Sequence, residues 1–116
     1  MINRAAVILR YKEPAVQWIN TADPDPDKIV VTAEEVNAER TVYLISDEDG
    51  DSPETVERWV KQNYQVLFES ELEEWYRDPA LWPRELTLEL FRQWFEVECH
   101  PVVFDTVGGE IYDDGI

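Results

Sequence analysis

The sequence predicts an α+β domain, with a small mixed sheet of three to four strands and helices packed mainly on one face. Three observations carry this. Apolar spacing switches between alternation, the mark of a strand, and steps of three and four, the mark of a helix. The order of elements reads strand, short helix, short helix, strand, long helix, helix, strand and a final short strand. The last two strands are separated by a glycine pair, which suits an antiparallel connection. The 116 residues fit one domain, 1–116, large enough for a single core and too short for two.

Residues 4–11 alternate. Ala5, Val7, Leu9 and Tyr11 share one face, and Arg4, Ala6, Ile8 and Arg10 the other, so the apolar face is expected to meet the core. Pro14 suits the first position of a short helix, where its missing N–H costs nothing, with Ala15, Val16, Trp18 and Ile19 on its apolar side. The run DPDPDK at 23–28 forces an extended, solvated connection. Thr32 and Glu35 then have capping-box spacing, flanked by Val31 and Val36 in the positions of a hydrophobic staple. The segment TVYLIS at 41–46 is β-branched and aromatic enough for an interior strand, and DEDGD at 47–51 is a loop. Ser52 and Pro53 mark a helix start. Val56, Val60, Tyr64, Leu67 and Leu72 follow at helical spacing, predicting one long helix over 53–77. Pro79 and Pro83 enclose a loop or single turn, and Thr87 caps a helix over 88–95. Residues 97–105 return to strand, with Pro101 placing it at an edge there or in a bulge. Gly108-Gly109 signals a hairpin and 110–112 a short last strand.

The net charge is −16, from 26 Asp and Glu against 10 Lys and Arg, and the pI is about 4.2. That balance argues against direct nucleic-acid binding, which needs clustered Lys and Arg, and against anionic membranes. No apolar run approaches the ~20 residues of a membrane span, and none near the start reaches the length of a signal-peptide core. With Cys99 alone, no internal disulfide forms. The expectation is a soluble, cytoplasmic protein. A chain with five Trp is far from the composition of a disordered acidic tail. Charge is uneven along the chain. Residues 1–12 hold Arg4, Arg10 and Lys12 and no acid, whereas residues 13–58 hold 13 acids and 3 bases. If the first and late strands are neighbours, this basic island can face Glu96, Glu98 and His100 across the sheet.

Few residues suggest chemistry. Asp47, Asp49 and Asp51 match the first, third and fifth ligand positions of an EF-hand calcium loop. Ser52 then stands where glycine is needed, and Arg58 where the bidentate Glu is needed, so the acids are read as solvated and favourable to the helix N-terminus that follows. Cys99 and His100 are adjacent on a strand and point to opposite faces, so they form no nucleophile–base pair. A zinc site needs three or four ligands, and the two residues together supply only two. Phosphate-cradling glycine motifs are absent. Trp82, between two prolines and outside any periodicity, is either a plug beneath a loop or an interface anchor.

The reading favoured is a non-enzymatic protein–protein interaction or inhibitor module that binds a basic protein partner. Its partner-binding candidates are Asp47, Glu48, Asp49, Asp51, Glu54, Glu57 and Trp82, with no cofactor, metal or catalytic residue assigned. Two alternatives stand beside it. One is a structural homo-oligomer subunit, pairing through an edge strand near Pro101 or 110–112 or through the Trp82 loop. The other is an enzyme of unrecognised type using His100 and acidic residues with a divalent cation.

Overall fold

The first strand lies in the middle of the sheet. β1 (Arg4–Tyr11), β2 (Val42–Ser46) and β3 (Phe95–His100) are ordered β2-β1-β3, and both pairings are antiparallel. The structure is a computed structural model, which describes residues 1–115. Its fold class is α+β, with four α-helices and this sheet. The sheet is antiparallel rather than mixed, because β1 separates the two strands that run in the same direction.

β1 presents Ala5, Val7, Leu9 and Tyr11 to the core, all buried. The segment 41–46 does not become an interior strand. β2 is an edge strand, with Ile45 buried on the core side while Val42 and Leu44 remain 53% and 50% exposed on the other. Its apolar composition serves two faces, only one of which the helices cover.

Local signals set the helices. α1 (Glu13–Thr21) has Pro14 in its first turn and buries Ala15, Val16 and Ile19. α2 (Ala33–Ala38) carries the complete Thr32–Glu35 capping box and buries Val36. Asn37 on α2 finishes the sheet edge by accepting from the Tyr11 N–H (2.8 Å) and donating to the Tyr11 carbonyl (3.1 Å). α3 (Pro53–Trp75) runs unbroken for 23 residues. After a single 3₁₀ turn at Pro79–Leu81, α4 (Leu88–Trp94) starts on a Thr87 cap and passes directly into β3. No loop intervenes because Trp94 and Phe95 are both buried, one ending the helix and the other opening the strand.

The core lies between the sheet and α1, α3 and α4. Phe68 of α3 sits edge-on to Phe91, Trp94 and Phe95, with ring centroids 5.5–5.7 Å apart. Such pairs add roughly 0.5–1.5 kcal/mol each beyond their area burial.

The expected strand over 97–105 stops at His100, and neither the Gly108-Gly109 hairpin nor a strand at 110–112 forms. Pro101 has no N–H to continue the ladder. Beyond it, the Ile2 N–H donates to the Val103 carbonyl (2.8 Å). Residues 101–115 have no regular structure. The radius of gyration, 15.8 Å, exceeds the ~13 Å of a compact chain of this length, as expected of a tail standing off the body.

Candidate functional site

The acidic loop closes over one end of the core. β2 ends at Ser46, whose hydroxyl accepts from the Asp49 N–H (3.1 Å) and donates to Asp49 Oδ2 (2.9 Å). The turn drives Gly50 into the interior. A Cβ on Gly50 would lie 2.3 Å from the Ala5 Cβ and 3.7 Å from Cys99 Sγ, so only glycine lets the loop meet β1. Ser52 then starts α3 by accepting from the Thr55 N–H (3.2 Å), while its own N–H donates to Thr55 Oγ1 (3.0 Å).

This packing leaves a cleft of about 430 Å³ between the start of α3 and β3. Val56 and Val60 supply α3 side chains to it, and Val97 and Cys99 supply those of β3. Pro53, Pro101, Asp51 and Glu57 also line it. A second hollow of about 490 Å³ adjoins it over Met1, Asp47, Glu48, Asp51, Pro101 and Val102, sharing Asp51 and Pro101 with the first. Asp47, Glu48 and Asp51, all exposed, therefore border a mainly apolar trough.

The other candidates stand differently. Asp49 is turned to the Ser46 hydroxyl. Glu57 forms an ion pair with Arg92 of α4, which neutralises it in place. Glu54 is exposed in the first turn of α3, where a carboxylate favours the helix N-terminus. Trp82 lies apart from all of these. Its ring packs against the core, and its indole N–H donates to the Tyr76 carbonyl (2.7 Å).

Cys99 and His100 point to opposite faces. Cys99 Sγ faces Gly50, with the carbonyl oxygen 4.0 Å away, and burial pushes the thiol up, which disfavours the thiolate a nucleophile needs. His100 is exposed on the far face, and its Nε2 is 3.9 Å from Glu98 Oε2. Among the described residues, no three His, Cys, Asp or Glu side chains converge to hold a metal ion. No helix there is long and apolar enough to cross a membrane.

One polar centre escapes the sequence reading. Glu71 is 3% exposed in the middle of the α3 core face. The Tyr11 phenol donates to its Oε1 (2.8 Å), the Tyr43 phenol donates to its Oε2, and the Trp75 indole donates to the Tyr11 oxygen (3.0 Å). Burial raises the carboxyl, opposed by the two phenol bonds. Burial and then the Glu71 carboxylate push the Tyr11 phenol up, and burial with the Glu71 hydrogen bond does the same to Tyr43. The signal was its position. Leu67, Phe68, Glu71, Leu72 and Trp75 form one helical stripe, so an acid there lies among core residues.

No protein-family model matches this chain, and comparison with curated proteins and with solved structures finds no match either.

Proposed function

We propose that the chain is a non-enzymatic protein-binding module of the cytoplasm, whose trough receives an apolar side chain flanked by basic residues of another protein. The observation that carries this is an apolar cleft between Val56 and Val60 on one side and Val97 and Cys99 on the other, which Asp51 joins to an adjoining hollow lined by Asp47 and Glu48. A cleft of this kind supplies desolvated contact, and the exposed carboxylates around it steer a basic partner and fix its register. The rest of the −16 charge adds long-range attraction, which salt screens. The single, partly covered Cys99 suits a reducing compartment.

The test uses a synthetic peptide of alternating Lys and Leu, followed by amide chemical shifts at low and high salt. The expected result is shifts at 47–57 and 97–101, with affinity falling as salt rises. Affinity is also expected to fall in an Asp47→Asn, Glu48→Gln, Asp51→Asn triple variant. Binding that ignores salt, or shifts confined to other surfaces, would overturn the reading.

A further inference from the structure

The sheet has a second face that no helix covers. Strand register arranges it in rows, with Val42, Ile8 and Glu98 in one and Leu44, Ala6 and His100 in the next. Arg10 stands opposite Glu96 at one end and Arg4 opposite Ser46 at the other. On β1 and β2 the face is thus an aliphatic block with an arginine at each end, Ala6 buried at its centre, and on β3 it is bordered by Glu96, Glu98 and His100. Neither Arg4 nor Arg10 has a carboxylate within 4.0 Å among the described residues.

The tail carries the complement. Val102, Phe104, Val107, Ile111 and Tyr112 are 57–82% exposed, interspersed with Asp105, Glu110 and Asp113 and with no Lys or Arg. Its root is tied to Ile2, beyond the Arg4 end of the sheet. In one molecule both the tail's apolar side chains and Val42 and Leu44 of the face stay exposed, so a chain does not cover its own face.

We propose that the open sheet face of one copy receives the 104–113 segment of a second copy, giving a reciprocal dimer held by exchanged tails. Ten residues extend up to roughly 33–36 Å, whereas the block from Arg4 to Arg10 spans about 20 Å, so the segment is long enough to cross it. The aliphatic block meets the tail's Phe, Val, Ile and Tyr, and the two arginines meet its carboxylates. Repulsion between two strongly acidic bodies opposes the association, and it is smallest at this face, where Arg4 and Arg10 offset Glu96 and Glu98 and the latter is already paired with Arg40.

Sedimentation velocity over a concentration series tests this. The full chain is expected to form a dimer. A chain ending at Val103 and a Leu44→Asp chain are each expected to be folded monomers by circular dichroism. Mixing the two restores a heterodimer, since one keeps the face and the other the tail. Should Leu44→Asp fail to fold, a charge exchange replaces it: Arg4→Glu with Arg10→Glu is expected to lose the dimer, and mixing with an Asp105→Lys, Glu110→Lys chain to recover it. A full chain that stays monomeric at every concentration overturns the proposal, as does a dimer that survives removal of the tail. A monomer whose tail amides resist hydrogen exchange also overturns it, because its own face then holds the tail.

Discussion

The Tyr11 phenol donates a 2.8 Å hydrogen bond to Glu71 Oε1 across 60 positions of sequence. It thereby joins the middle strand to the long helix through a carboxylate that has no Lys, Arg or His within 4.0 Å among the described residues. Tyr43 closes the same carboxylate from the edge strand. One acidic side chain thus fastens two strands to α3.

Stability is expected to depend on pH through Glu71. Burial holds its carboxyl above the ordinary range, the two phenol bonds lower it, and Glu74 adds a further upward push. A group raised in the folded state binds its proton more tightly there, so its contribution is complete below the unfolded-state value and is lost as pH rises through the folded value. Glu71→Gln removes that titration. The Tm of the natural chain relative to Glu71→Gln is expected to fall as pH rises from acid towards neutral. A difference that stays constant with pH would exclude it. Glu71→Leu leaves the Tyr11 hydroxyl without an acceptor, whereas Tyr43 keeps Ser70 Oγ at 3.1 Å, so the loss is expected to be roughly 1–3 kcal/mol for the one hydroxyl left unpaired, readable by urea denaturation.

Gly50→Ala is expected to destabilise by about 1–3 kcal/mol, the usual range for overpacking. The new methyl would lie 2.3 Å from the Ala5 Cβ, and both are backbone-anchored, so the loop has to lift. Denaturant midpoints measure the loss. Amide shifts at Asp51 and Cys99 report the lifting, because the cleft lies beside them.

Ser52→Ala is expected to cost about 1 kcal/mol, the usual value of an N-cap hydroxyl. Faster hydrogen exchange confined to the Thr55 and Val56 amides distinguishes a lost cap from general loosening. Equal acceleration along α3 would count against it.

The carboxylate of Glu98 pairs with Arg40 at 3.1 Å. Arg10 faces Glu96 in the register. The exchange Arg40→Glu with Glu98→Arg is expected to recover part of what either single change loses, within roughly 0.2–1 kcal/mol. The exchange of Arg10 with Glu98 is expected to recover little. A double-mutant cycle in urea decides between them, and the opposite ranking would refute the assignment.

What the sequence made legible were features that neighbouring residues decide. The Thr32–Glu35 box, the Ser52-Pro53 start, the Thr87 cap and the alternation of 4–11 are local chemistry, and the structure carries them at those positions. Sheet position was less legible, because Val42 and Leu44 look the same whether a helix or solvent lies above them. The strand expected beyond Pro101 needed a partner, and among the described residues the backbone bond formed there is the one from Ile2 to Val103. At the candidate site, the composition of loop 47–51 marked the acids. The apolar cleft beside them depends on Val56 and Val97, brought together only by tertiary packing. The condition set for the basic island is met, since β1 pairs with β3, but the ion pair of Glu98 goes to Arg40, outside that island.

The middle strand is made early and completed late. Tyr11 pairs with Phe95, 84 positions on, and Ala6 with His100, 94 positions on. At ~5–20 residues per second of synthesis, the β3-facing edge of β1 waits roughly 4–19 s for its partner. Until then Ala5, Val7 and Leu9 lack the core contacts that Phe91, Trp94 and Phe95 of the α4–β3 unit supply. That interval is when the aliphatic first strand is open to chaperones or to the same strand of a neighbouring chain.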